Sequence, residues 1–139
     1  MDEEFSQWSR LLFHEFRSGI QIAVVSDLTH RELEDAPQKV RDLLSTVPDQ
    51  SIENVFLDDE AIQLAKTYID DGIVTSQHLV DAQHIAIASI EKVDVLASWN
   101  FKQIVNLKKI HAFNAVNLKM GYSILEIRSP KEILYEEEV

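Results

Sequence analysis

Between Gln77 and Glu91 the chain reads as a helix with almost no polar circumference: Leu79, Val80, Ala82, Ile85, Ala86, Ile87, Ala88 and Ile90 take up most of its sides. Such a helix has to be covered by other elements, because water cannot be left against apolar surface all the way round. It is too short to cross a bilayer, and no window of the chain approaches the roughly 18 uninterrupted apolar residues a span needs. Other layers must therefore wrap it, and at 139 residues the chain has one domain's worth of material to do so.

The rest of the pattern supplies those layers. Phe5, Trp8, Leu12 and Phe16 fall at helical spacing, with Gly19 as the stop. Gln21 to Ser26 is short, apolar and β-branched, which predicts a buried strand. Ser26 then caps a helix from Asp27 to Glu34, and Pro37 opens another that runs to Ser45. Ile52 to Leu57 is a weaker strand. Asp58 to Asp71 predicts a helix with Ile62, Ala65 and Ile69 on its inner side and Gly72 at its end, and Ser76 is placed to cap the apolar helix. Val93 to Ala97 predicts a strand, Phe101 to Val105 helical turns, and Ile110, Phe113 and Val116 a helix stopped by Gly121. Ser123 to Ile127 reads as a last strand and Pro130 to Leu134 as a closing helix. Strands separated by helices predict an α/β fold, a mostly parallel sheet with helices on both faces, in a single domain over residues 1–139.

With no cysteine, a metal would have to be held by oxygen or imidazole, which points to hard ions such as Mg²⁺ or Mn²⁺. The opening MDEE is acidic where a secretory signal would be basic, so the expected location is cytoplasmic, with no membrane partner. A net charge of −11 argues against nucleic acid, where phosphate neutralisation supplies most of the affinity. The charge is uneven, however. From Ala97 to Lys131 the only acid is Glu126, against Lys102, Lys108, Lys109, Lys119, Arg128 and Lys131, which leaves +5 there and −16 over the rest. That island is either a solvated helix face or a phosphate-binding surface.

Three side chains stand at the edge where open parallel sheets bind ligands. Asp81 lies in the first turn of the apolar helix, where a carboxylate is either a stabiliser of the helix dipole or a metal ligand. His84, three residues on, shares its face and would orient Asp81, join it, or simply pack. Glu32 lies a turn and a half beyond the first predicted strand and reads as a surface residue or a second ligand. Asn100 follows the strand ending at Ala97; its amide oxygen suits Mg²⁺, or else caps the turn that follows.

The order Ser26-Asp-Leu-Thr-His-Arg-Glu32-Leu, Asp81-Ala-Gln-His-Ile-Ala-Ile-Ala and Val95-Leu-Ala-Ser98-Trp-Asn100-Phe resembles the PIN domain, the fold of toxin-type and RNA-processing nucleases. The resemblance extends over nearly the whole chain and is nearest to a branch with Ser-Trp-Asn-Phe where toxins usually carry Thr-x-Asp. It implies a three-layer α/β/α domain in which Glu32 matches the family's second acid, Asp81 the third, and Asn100 the fourth position, with Ser98 two residues earlier. The activity it implies is Mg²⁺- or Mn²⁺-dependent cleavage of RNA, with Lys102, Lys108 and Lys109 on the RNA backbone and Trp99 or Phe101 stacked on a base. Homodimer formation and a cognate antitoxin are partners of the same kind. The chain departs from the family where its first central strand and that strand's aspartate would stand, and Asn100 replaces the fourth acid. Two of four carboxylates remain, which weakens metal binding. The alternative is a degenerate PIN domain that binds RNA or protein without cutting; a third reading, outside nucleic-acid work, makes the acidic body the partner surface.

Overall fold

The computed structural model describes residues 3–137, with side chains over residues 7–134. They form two compact units, residues 1–56 with 130–139 and residues 57–129.

In the first unit, helix α1 (Glu3–Arg17) leads to strand β1 (Ala23–Ser26), helix α2 (Asp27–Glu34), helix α3 (Gln38–Ser45) and strand β2 (Ile52–Val55), and α7 (Pro130–Glu137) returns from the far end of the chain to lie against α1. Leu12 is the buried residue among the described side chains of α1; that of Phe5 lies outside them. Ser26 ends β1 and begins α2, and its Oγ accepts the backbone N–H of Thr29 at 3.3 Å, as its position before a polar helix start predicts. Pro37 stands one residue before α3 rather than in its first turn. β1 and β2 run parallel, with Ala23 opposite Ile52 and Ser26 opposite Val55.

The strand expected from Gln21 is shorter than its apolar run. Ala23, Val25 and Ser26 are buried, while Ile22 and Val24 are exposed. The run alone does not set the strand's length; the four-residue ladder with β2 does.

The second unit contains α4 (Asp59–Asp70), a 3₁₀ turn (Ser76–His78), α5 (Leu79–Ile90), β3 (Leu96–Ala97), α6 (Leu107–Lys119) and β4 (Ile127–Arg128). β3 and β4 are again parallel, Leu96 opposite Ile127, and Ser98 N–H extends the ladder to Arg128 O at 3.0 Å. The α/β class with parallel strands is thus present, as two two-stranded ladders among the described residues.

α4 and α5 pack together, with fully buried alanines on both, Ala61 and Ala65 on one and Ala82 and Ala86 on the other, which suits close approach of two backbones. Burying Ile85 completely contributes about 1.5–3 kcal/mol. The inner face of α4 is only partly the one expected: Ala65 is buried and Ile69 half-buried, as the spacing predicts. Ala61, Leu64 and Tyr68 complete the buried face and Ile62 is exposed; Tyr68 carries a polar atom that the core satisfies. Ser76 does not cap α5 either: it opens the 3₁₀ turn, and no side chain caps the first turn of α5.

That satisfaction comes from a buried polar chain. Tyr68 Oη donates to Asn117 Oδ1 on α6, Asn117 Nδ2 donates to Ser89 Oγ on α5 at 2.9 Å, and Ser89 Oγ donates to the carbonyl of Ile85 at 2.8 Å. Phe113 meets the ring of Tyr68 edge-on at 5.0 Å. The three helices of this unit are pinned to one another at one point.

All three helix ends of this unit close in the same way, α6 with Gly121 N–H on Leu118 O and Tyr122 N–H on Asn117 O, Gly121 at φ 90°. After α4, Gly72 N–H bonds to Ile69 O and Ile73 N–H to Tyr68 O, with Gly72 at φ 80°. After α5, Lys92 takes the glycine's place, with N–H to Ser89 O and Val93 N–H to Ala88 O, at φ 56°. A side chain in that left-handed region costs about 1–2 kcal/mol, of which a glycine would return up to about 1 through its freer unfolded chain. Lys92→Gly should therefore raise the stability by about 0.5–1 kcal/mol, read as a higher urea midpoint at unchanged slope; a lower midpoint would show that the Lys92 side chain supports the helix end.

Candidate functional site

The turn after β3 is built from its own polar groups. Asn100 N–H donates to Ser98 Oγ at 3.0 Å, Asn100 Oδ1 accepts Gln103 N–H at 3.0 Å, and Asn100 O accepts Ile104 N–H and Val105 N–H at 3.0 and 2.7 Å. Asn100 therefore performs the capping role, and Ser98 ties the ladder to the turn. Between them, Trp99 is half-buried and its ring meets that of Phe101 at 6.0 Å; Phe101 is 47% exposed.

Asp81 is in the first turn of α5, as its sequence position predicts, with 26% of its side chain exposed and its Oδ2 3.5 Å from His78 Nδ1. The sequence pointed to His84 as the neighbour; His78, three residues before Asp81, is equally an i,i+3 partner and legible by the same spacing. His84 is half-buried. Glu32 is exposed on α2, in the first unit, whereas Asp81, Ser98 and Asn100 all belong to the second.

Hard oxygen donors of the kind Mg²⁺ or Mn²⁺ prefers are present at Asp81, Asn100 and Ser98. The amide oxygen of Asn100 already accepts one hydrogen bond, and a cation at Asp81 would share the oxygen that faces His78. Among the described residues, no three or more His, Asp or Glu side chains gather where they could hold a metal ion.

The basic island divides by partner. Lys109 Nζ donates to the side-chain oxygen of buried Gln103 at 2.5 Å, and Arg128 Nε lies 3.3 Å from Glu126 Oε2. Lys102, Lys108 and Lys119 are exposed. Gln103 was not singled out by the sequence; the only signal was a polar residue inside the apolar run of the turn. The acidic excess belongs elsewhere: fifteen of the 24 acids, against six of the 13 Lys and Arg, fall in residues 1–56 and 130–139. Residues 57–129 are nearly balanced, nine acids against seven basic residues, so phosphate would meet no strong repulsion from this unit's own charge.

No helix among the described residues is long and apolar enough to cross a membrane. No family model matches the chain, and neither does any curated protein or solved structure.

Proposed function

We propose that the chain is a PIN-like three-layer α/β/α domain that binds single-stranded RNA as a non-catalytic module. The observation that carries this reading is the turn at residues 98–103, whose amide and hydroxyl are spent on closing the turn while Phe101 and Lys102 are left exposed on it. An exposed ring beside lysines is what unpaired nucleic acid uses: bases stack on the ring, and the ammonium groups neutralise phosphate. Lys108, at the start of α6, extends the basic surface.

The test is retention of a fluorescent single-stranded RNA as a function of salt. Lys102→Glu with Lys108→Glu should weaken binding at least tenfold at low salt and reduce the slope of log K against log salt by about 1.4, at about 0.7 per lost phosphate contact. Phe101→Ala should weaken it without changing the slope. An unchanged slope in the double variant removes the lysines from the interface. In the same assay, Mn²⁺-dependent cleavage lost in both Glu32→Gln and Asp81→Asn would replace the binding module with the metal-dependent ribonuclease.

A further inference from the structure

In the first unit, α2, α3 and β2 border an open cavity of about 580 Å³, a volume within the range of small-molecule sites. Its apolar lining is Leu33, Leu44, Val47 and Ile52; Val47 is buried and the other three are half-buried. Water held against those side chains is released when an apolar body takes its place.

The polar groups around that lining are exposed, and most of them accept hydrogen bonds rather than donate them. Glu34 stands at the end of α2 and Asp49 in the turn before β2, and among the described residues neither carboxylate has a hydrogen bond or ion pair. His30 Nε2 lies 3.2 Å from Asn54 Oδ1. An amide oxygen only accepts, so Nε2 carries the hydrogen and Nδ1 of the neutral ring is left as an acceptor. Ser45 Oγ donates to Asp42 O at 2.8 Å, which likewise leaves its lone pairs to the cavity's side of the ledger. Arg41, the one Lys or Arg of the lining, is drawn along α3 instead. Its Nη2 donates to Gln38 Oε1 at 2.7 Å, and Gln38 Nε2 donates to Asp42 Oδ1 at 2.6 Å, so the guanidinium is linked through an amide to a carboxylate of its own helix. Glu34 and Asp49 therefore set the sign of the cavity.

We propose that this cavity binds a small organic cation, a primary amine carried on an apolar body. An ammonium group donates hydrogen bonds and accepts none, which is what a rim of acceptors with two unpaired carboxylates selects. The apolar body would cover Leu33, Leu44, Val47 and Ile52. A carboxylate or phosphate in the same place would be repelled by Glu34 and Asp49. The proposal concerns residues 30–54 and stands apart from the RNA-binding reading, which concerns only residues 57–129.

The experiment titrates the full, isotope-labelled chain with tryptamine and follows its amide NMR signals. Two controls are indolepropionate, which puts a carboxylate on the same ring system, and ammonium chloride, which has no apolar body. Saturable shifts are expected with tryptamine at His30, Leu33, Leu44, Val47 and Ile52, and no saturable shifts with either control. Glu34→Gln with Asp49→Asn should weaken tryptamine binding about tenfold, the worth of two exposed ion pairs. Thermal unfolding of that variant should match the wild type, because both side chains are exposed. Indolepropionate binding as tightly as tryptamine would overturn the proposal, as would unchanged binding in the double variant, or shifts that do not saturate or lie elsewhere. Tighter binding of tryptophan than of tryptamine would give Arg41 the leading part and equally overturn the choice of a simple cation.

Discussion

Asn117→Leu should lower the stability by about 3 kcal/mol, although it adds apolar volume to a core position. Asn117 is fully buried, accepts from Tyr68 Oη and donates to Ser89 Oγ. With leucine there, the hydroxyl of Tyr68 keeps its desolvation penalty and loses its acceptor, and an isobutyl group must fit where a planar amide lay. A loss of that size is a large share of the roughly 5–15 kcal/mol that holds a domain together. Tyr68→Phe alone should cost about 1–2 kcal/mol, because it leaves the Asn117 oxygen without its donor. The double variant Tyr68→Phe with Asn117→Leu should be more stable than the sum of the single losses by at least about 1 kcal/mol, since both ends of the bond are then gone. Urea unfolding of the four proteins measures this directly. Additive losses would mean that the two groups do not act as a pair.

Alkaline pH should weaken the fold through the same residue. Burial pushes the Tyr68 hydroxyl up from 10.0 to about 12, against the opposing hydrogen bonds to Ser89 and Asn117. The unfolded chain releases this proton near pH 10 and the folded chain only near pH 12. Below the first value the contribution is fully present; between the two it is lost as pH rises, and it amounts to about 3 kcal/mol over the whole interval. Tyr122 is raised as well, by its own burial first and then by Glu60 beside it, so it acts in the same direction. The comparison that isolates Tyr68 is therefore the wild type against Tyr68→Phe, each followed by urea unfolding from neutral pH to about pH 12. The curve of the variant should be flatter, and parallel curves would sink the assignment.

Much of the chain's punctuation is legible without coordinates because it depends on neighbours a few residues away. Ser26 caps α2, and Gly72 takes the left-handed position after α4. Asp81 falls in the first turn of α5 for the same reason. The ladders were less legible: the apolar runs Gln21 to Ser26 and Val93 to Ala97 shrink to Ala23–Ser26 and Leu96–Ala97, since a strand extends only as far as a distant partner meets it. The buried polar chain was hidden altogether. Ser89 and Asn117 each look like a polar position on a helix surface, and Tyr68 lies off the stripe of Ile62, Ala65 and Ile69; only the three helices packed together show that each satisfies another. The turn at Ser98 to Asn100 was found as a site candidate, and its capping alternative was equally visible in the spacing from Asn100 to Gln103. Choosing between ligand and cap needed the hydrogen bonds.

Asn114, on α6, presents its amide to the backbone of Leu125: Nδ2 donates to the carbonyl at 3.1 Å and Oδ1 accepts the N–H at 2.7 Å. A side chain there imitates the paired edge of a neighbouring strand, so the stretch leading into β4 is gripped by a helix before any ladder begins. Sliding that stretch by one residue would break both bonds at once and lift Leu125 out of the interior. Where the chain finds its final alignment is thus decided eleven residues upstream, by one amide group acting as a template.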